Sequence, residues 1–449
     1  MIQAGLKQAL VIGGSMAGLS SAQVLSRYFD HVTIIERDRY TDETEFRKGI
    51  PQNRQPHALL KRGMDGLEEL FPGFAKAWAD AGAVPVDFGS NVEWWALGGW
   101  RPKYEPGLVS YGSSRPLLEN VIREKLRANP RIQFMEAEEV TGLVATVDGK
   151  QITGVRVRSR DQRNVEDVLT ADFVVDTSGR ESHAQQWLEE LGYPCPERTV
   201  VNAFPGYASR IYERPAGMTS NVVYVQPNPP HVTRGAIILP LEGNRIHLGL
   251  VGMAKDYPPT DEAGLLPFLE SLPEKRVYEL IKDAKPLSPI VGYRRAENIW
   301  VHYERLANWP ENFVALGDSV LAFNPVYGQG MTVAILSALH LDKTMKAHLT
   351  HAANLSGYSK LFQKSLDQVQ AFAWQLATGE DRRWSPDIVG TTSKPGFSEA
   401  LRLGFLKKVM VASTKDPVIT EALYRVMNMI ATPAVFFRPD MLIRVVRAS

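Results

Sequence analysis

Cysteine is all but missing from this chain. Cys195, in "GYPCPE", is the only one, so no internal disulfide can form and no second thiol is available for redox or metal work. A reducing, cytoplasmic setting is the expectation. Excess charge is missing too: 51 Lys and Arg stand against 50 Asp and Glu, so no polyanionic partner is predicted and nucleic acid is not expected. No stretch approaches the roughly 18 uninterrupted apolar residues of a membrane span. The opening "MIQAGLKQALVIGG" runs straight into a strand pattern, without the basic region, apolar core and cleavage site of a signal peptide. The tail "RVMNMIATPAVFFRPDMLIRVVRAS" mixes apolar side chains with Arg438, Arg444 and Arg447. That composition is compatible with a lipid interface, but docking on the protein's own core is the expectation. No internal repeat, low-complexity linker, metal-ligand cluster or nucleophile-base pair stands out.

What is present suits an ordinary globular protein of two or three domains, with 449 residues, 44% of them hydrophobic and 22% charged. "QALVIGGSMAGLSSAQVLSRYFDHVTIIERD" reads as strand, small-residue turn, helix and strand ending at Glu36. In such a βαβ opening Gly13 makes the tight turn, while Ala17 and Gly18 let the helix sit close to the sheet. Helix N-terminal amides then face whatever lies over the turn, which favours a phosphate. Glu36, about 20 residues past the turn, is placed to accept from a ribose. The second glycine of Gly-x-Gly-x-x-Gly is Ser15 here, which leaves both a nucleotide site and a plain glycine-rich connection open.

From 131 to 178 the pattern changes to strands, with a hairpin signal at Asp148-Gly149, so a β-meander is expected before the sheet resumes at "DFVVDTSG". Residues 195–300 are strand-rich and punctuated by proline, and predict a second, antiparallel sheet. After 330 the spacing is helical. Between a buried strand, "NFVALGD", and the helical "TVAILSALHL" lies "GDSVLAFNPVYGQGM", an acid and a flexible loop between two core elements, where a ligand is often held.

The glycine turn with Glu36, "DTSGR" at 176–180 and "GDSVLAFNPVYGQG" at 317–330, together with "RKGIPQ", "QWL" and "SSRPLLE", resemble the flavin monooxygenases of the para-hydroxybenzoate hydroxylase type over most of residues 8–345. Within them the chain most resembles the bacterial polyether-type epoxidases, which are similar to squalene epoxidase in chemistry. The resemblance implies an α/β fold: a Rossmann-like FAD-binding domain with an inserted β-meander (1–80, 110–190 and 290–345), an antiparallel-sheet substrate domain (81–109 and 191–289) and a helical C-terminal region (346–449). It implies that Asp318 binds a hydroxyl of the FAD ribityl chain and that "NPVYGQG" passes beside the flavin ring. Glu36 then takes the adenosine ribose, Arg115 and Arg47 lie near the phosphates and ribityl chain, the Val140 backbone touches adenine, and Asp176 and Gly179 lie near the pyrophosphate. Gly13, Gly14, Ser15, Met16, Ala17, Gly18, Arg37, Lys48, Pro325, Gly328, Gly330 and Met331 complete the cofactor-binding candidates. Gly328 and Gly330 would permit close backbone approach, and amides opening the next helix would stabilise reduced flavin.

The activity implied is insertion of one oxygen from O2, through a flavin C4a-hydroperoxide, into a hydrophobic, natural-product-like small molecule, with alkene epoxidation first. Aromatic or polyketide hydroxylation is the alternative, and no Tyr-Tyr or His constellation fit to deprotonate a phenol is visible. A flavin-dependent isoprenoid reductase or cyclase, and a non-enzymatic flavoprotein, are further alternatives; a halogenase is disfavoured because Trp-x-Trp-x-Ile-Pro does not occur. NAD(P)H, directly or through a partner reductase, is the implied electron donor. Gln52, Phe323, Asn324 and Tyr327 are the substrate-pocket candidates, and His57 reads as a structural histidine.

Overall fold

In the computed structural model, residues 6–40, 54–161, 166–294, 296–384 and 397–448 are described. Five short apolar segments build a wholly parallel sheet in the order Phe313–Ala315, Phe173–Asp176, Gln8–Ile12, His31–Glu36, Ile132–Glu136. The three central strands are buried along almost their whole length, as continuous apolar runs must be when both faces of a parallel sheet are covered. The helix Met16–Leu25 is likewise buried nearly all round, because it packs on the sheet and also against the long helix Gly330–His351. Its small residues make that double contact sterically feasible.

The expected meander is present as Glu138–Ala145, Ile152–Ser159 and Glu166–Thr170, all antiparallel. Its Asp148-Gly149 turn closes with Thr146 N donating to Gln151 O at 2.9 Å.

A seven-stranded sheet carries the order Val291–Tyr293, Gly206–Glu213, Arg245–Gly252, Arg234–Leu241, Val222–Val225, Val92–Ala96, Gly99–Trp100. It is antiparallel except at one junction, where Val222–Val225 runs parallel to Val92–Ala96. The exception arises because the last two strands come from a separate excursion of the chain, "VEWWALGGW", rather than from a hairpin continuing its neighbours. Helices Glu262–Glu270 and Arg276–Ile281 cover one face through Leu265, Phe268, Leu269, Val277 and Ile281. A small third sheet, Arg198–Val201, Asn298–Val301 and Leu321–Ala322, ties the segment after Asp318 to the chain entering the larger sheet.

Helices Tyr358–Ser365, Asp367–Asp381, Phe397–Ala412, Pro417–Met427 and Pro439–Ala448 complete the molecule. The tail docks on this region: Phe436, Met441 and Val445 are buried against Val409, Ile419 and Leu423. Phe437, Ile443 and Val446 stay exposed. Among the described residues no helix is long and apolar enough to cross a membrane, and no group of three or more His, Cys, Asp or Glu is arranged to hold a metal ion.

Candidate functional site

The three motifs that stand far apart in sequence meet at one end of the parallel sheet. Thr177 Oγ donates to Ile12 O at 2.6 Å, joining "DTSGR" to the glycine turn. Gly179 N donates to Ser319 Oγ at 2.9 Å, joining it to the Gly-Asp loop. Gly317, at φ +68°, lies so near the first helix that a Cβ there would stand 2.8 Å from Ala17 Cβ. Gly18 is tighter still: a Cβ would overlap the Gly13 carbonyl oxygen and lie 2.9 Å from Thr177 Oγ. Small residues at 17, 18 and 317 are therefore a condition for the three segments to converge.

Two helices open onto this junction without a side chain at their amides. Ser15 heads Met16–Leu25 and Gln329 heads Gly330–His351, and neither makes a capping hydrogen bond. Ser114, Asp261 and Asp416 do cap their helices, whereas several others also lack a side-chain cap, so what marks these two is where their open ends lie. Neither uncapped helix has an acidic residue in its first turn. Free N-terminal amides and the positive ends of two helix dipoles make a place for an anionic or electron-rich group.

Asp318 lies within this junction. Its Oδ1 stands 3.7 Å from where a Gly330 side chain would begin, and among the described residues its carboxylate accepts no hydrogen bond. The group is surrounded by protein yet keeps part of its surface accessible, as a carboxylate does at the floor of a cleft. Burial raises its pKa above the usual aspartate value, opposed by the charges of Arg180 and Arg115. Gln329 Oε1 and Thr332 Oγ are also buried without a partner. Polar atoms shut away from water demand a partner.

Ser15, the departure from the glycine fingerprint, has a definite place. Its hydroxyl donates to Glu119 Oε1 at 2.6 Å and accepts from Arg115 Nη2 at 2.7 Å. Arg115 Nε bonds the same Glu119 oxygen at 3.0 Å. Its Nη1 lies 3.1 Å from His57 Nε2, while His57 Nδ1 lies 2.8 Å from Gln55 O. A carbonyl can only accept, so Nδ1 carries the proton and Nε2 accepts from the arginine. Burial, then the Arg115 charge, lowers the His57 pKa to about 3, which keeps the ring neutral. His57 thus orients Arg115.

At the other end of the turn, Glu36 accepts from Gly14 N at 2.8 Å and from Asp38 N at 3.0 Å. Arg37 is surface-exposed and 3.7 Å from Glu181. Val140 sits at a β-bulge between itself and Gly142, where a strand leaves backbone groups off the ladder. Asp176 is fully buried and turned inward, accepting from Ser178 N at 3.0 Å and from the Ser178 and Ser182 hydroxyls at 2.6 Å each. Those bonds hold the 177–182 turn, although burial raises the Asp176 pKa. Pro325 is exposed and Met331 is buried in the main core. Arg47, Lys48 and Gln52 lie outside the described residues.

Three of the four pocket candidates, Phe323, Asn324 and Tyr327, fall in the loop before the long helix. Phe323 is buried against Val201, Val333 and Trp374. Asn324 is wholly buried: its Oδ1 accepts from the Tyr207 hydroxyl and, at 3.2 Å, from Val326 N. Its Nδ2 reaches both oxygens of Asp381 at 3.2 Å. Asp381 also accepts from the Tyr327 hydroxyl at 2.5 Å and from Asn298 Nδ2 at 2.6 Å. Burial is the main cause that lifts its pKa to about 6. Asn324 and Tyr327 are therefore tied down by a buried acid from helix Asp367–Asp381, a residue with no sequence signal. Arg180 is the other omission, although it is the last residue of "DTSGR". It donates to Glu297 O at 2.9 Å and to Phe323 O.

The sequence matches the FAD binding domain family over residues 7–376. The chain belongs to that family. It is a FAD-dependent enzyme, and FAD-dependent oxidation is its general chemistry. Protein Rv3254 of Mycobacterium tuberculosis is 29% identical over 346 residues, covering 76% of this chain and 73% of the relative. Among solved structures, the flavin-dependent brominase Bmp2 superposes with a TM-score of 0.67 at 13% identity, covering 98% of this chain and 97% of the other. The myxobacterial chondrochloren halogenase CndH gives 0.64 at 18%, covering 96% and 98%. PqsL of Pseudomonas aeruginosa, "a probable FAD-dependent monooxygenase", gives 0.60 at 18%, covering 84% and 97%. These similarities concern the fold, and the closeness to squalene epoxidase-like enzymes is not among them.

The residues at the junction fit the cofactor. Two uncapped helix ends, a carboxylate without a donor and buried unpartnered side chains are what an extended dinucleotide with a hydroxylated linker would complete.

Proposed function

We propose that this flavoprotein is a monooxygenase that places one oxygen atom of O2 on a hydrophobic substrate, with an alkene as the preferred target. The observation that carries the reading is the convergence of Asp318 with the uncapped ends of Met16–Leu25 and Gly330–His351. FAD, when bound, supplies the redox and oxygen-transfer chemistry. In this reading Asp318 accepts from a hydroxyl of its linker, Arg115, held by Glu119, Ser15 and His57, faces its phosphates, and Glu36 accepts from its adenosine ribose. The amides of Gly330 and Met331 lie against the electron-rich edge of the ring. Asp381 fixes the loop of Asn324 and Tyr327 that walls the site.

Two features support oxygen transfer to an unactivated carbon. The loop side of the site is dry: Phe323, Asn324 and Gln329 are buried, which suits chemistry that water would divert. The nearest phenols, Tyr207 and Tyr327, have pKa values raised by burial, and His57 is neutral and engaged, so none of them is poised to deprotonate a phenolic substrate. Electrons are proposed to come from NAD(P)H, directly or through a reductase.

The test is turnover of the FAD-loaded protein with NAD(P)H and a panel of polyenes and phenols under labelled dioxygen, with bromide present in parallel. Label in an epoxide supports the reading. Product without label, or brominated product, overturns it. Asp318→Ala removes an acceptor for a buried hydroxyl, worth ~1–3 kcal/mol, so FAD affinity is expected to fall about 5- to 150-fold. Flavin absorbance per chain after desalting reads this directly, and full occupancy in the variant counts against the role.

A further inference from the structure

One face of the seven-stranded sheet is covered by the two helices of the excursion 262–281; residues alternating with that covered set point the other way. They include Tyr207, whose hydroxyl reaches Asn324, and Tyr224 and Trp94, which are register partners with rings 5.6 Å apart. Tyr424, from helix Pro417–Met427, closes on them at 5.4 Å from Trp94 and 5.8 Å from Tyr104. Ala58 packs in the same cluster as these rings, and it also lies 3.8 Å from where a side chain on Gly328 would begin. The aromatic box is thereby continuous with the loop assigned to the flavin.

Within this box sits Arg101. Its guanidinium carbon is 3.8 Å from the centre of the Trp94 ring, and the residue is 6% exposed. Nε and Nη1 are buried with no hydrogen-bond partner; Nη2 reaches only the Met410 thioether at 3.8 Å, a weak acceptor. No carboxylate forms an ion pair with it among the described residues. Burial lowers its pKa only to about 10, so the charge persists at neutral pH. The Tyr104 hydroxyl, on the far side of Tyr424 in the same box, is also buried and unpartnered. Stacking on Trp94 offsets part of the lost hydration and the Glu380 carboxylate acts on the charge from beyond ion-pair distance, but three N–H donors remain without an acceptor, and such groups are normally paired.

We infer that Arg101 is the anchor for a carboxylate on the substrate, so that the enzyme acts on an apolar carboxylic acid whose body lies along Trp94, Tyr224 and Tyr104 toward the Gly328 loop. This inference rests on the oxidation reading above for the word substrate, and on the arginine alone for the anion. A carboxylate matches the box because Arg101 is the described cation stacked on its rings with donors to spare, while Arg425, which also acts on Tyr104, is paired with Glu421: one negative charge is balanced, where a phosphate dianion would be left in excess. A cavity of about 460 Å³ at the sheet edge, bordered by Arg101, Trp100, Glu93, Arg276 and Lys103, reaches the same residue from outside. The rim carries Glu93 and Glu274 beside Arg276 and the exposed Lys103, with Arg276 engaged by Glu93 at 2.9 Å, so the rim is balanced and the pull on an anion comes from Arg101. Tyr104, half-buried, is the side chain that turns aside as the acid enters.

The experiment measures binding, without turnover, to the FAD-loaded full chain. Farnesoic acid and 4-phenylbutyric acid are titrated at neutral pH beside farnesol and 4-phenylbutanol, with tryptophan fluorescence as the readout. Wild type is expected to bind the acids at least tenfold more tightly than the alcohols. Arg101→Met should erase that preference, and Arg101→Lys should retain part of it. Equal affinity of acids and alcohols, no binding by either acid, or an unchanged preference in Arg101→Met overturns the assignment; so does displacement of neither acid by the other at saturation. If Arg101→Met does not fold, the preference in wild type and in Arg101→Lys still decides. Acid preference without labelled oxygen in any product sustains the anchor while removing the oxidation reading.

Discussion

Replacing Gly18 with valine is expected to leave little folded, flavin-loaded protein. A side chain at this position meets backbone, the Gly13 carbonyl, and has Thr177 Oγ at 2.9 Å on its other side. Neither the turn nor the strand-end hydroxyl can move independently, because Thr177 Oγ is itself bonded to Ile12 O at 2.6 Å and Gly13 N to Ile35 O at 2.8 Å. Relief requires the helix Met16–Leu25 to lift from the sheet, which uncovers several fully buried side chains at about 1.5–3 kcal/mol each. That exceeds what a domain with ~5–15 kcal/mol of stability tolerates. Soluble yield, melting temperature and flavin content measure the outcome together. A valine variant with wild-type melting and full flavin would show that the helix does not need this contact.

Asp381→Ala is expected to be the most damaging substitution in the C-terminal helices. It strands the Tyr327 hydroxyl and the Asn298 and Asn324 amides, all buried, and breaking such a set costs on the order of 3–5 kcal/mol. The pH dependence supplies a second, signed measurement. Burial raises the Asp381 pKa from 3.8 to about 6, with Glu380 adding to the rise and the bonds from Tyr327, Asn324 and Asn298 opposing it. A carboxyl with a raised folded pKa contributes stability that is fully present below 3.8 and is lost as pH climbs through about 6. Wild type should therefore gain about 2 kcal/mol on Asp381→Asn between pH 7 and pH 4, since asparagine does not titrate and the other carboxyls cancel in the comparison. Denaturant midpoints across that range test it, and a gap that stays constant with pH would remove Asp381 as a buried, titrating acid.

Legibility followed the range of the forces involved. The βαβ opening, the meander with its Asp148-Gly149 turn and the helical C-terminal region were readable because hydrophobic periodicity and turn chemistry act over a few residues. The parallel junction between Val92–Ala96 and Val222–Val225 was not, since nothing local in "VEWWALGG" states which strand it will lie beside. The site divides in the same way. Gly13, Gly18, Glu36 and Asp318 carry motif spacing, and the fold brings them to one junction. Asn324 and Tyr327 were visible as loop residues, but their attachment to Asp381 depends on a helix more than 50 residues later meeting them in the interior.

By itself, the sequence determined the apolar strands, the glycines that permit close backbone approach and the acid at the end of "NFVALGD", because each of these is a property of a residue and its immediate neighbours. Only the tertiary structure decided which polar groups find partners. Whether Ser15 caps its helix or binds Arg115, whether Asp176 faces inward, and whether Arg101 is left without an acceptor all depend on hydrogen bonds between segments distant in the chain, and short-range sequence patterns do not encode that geometry.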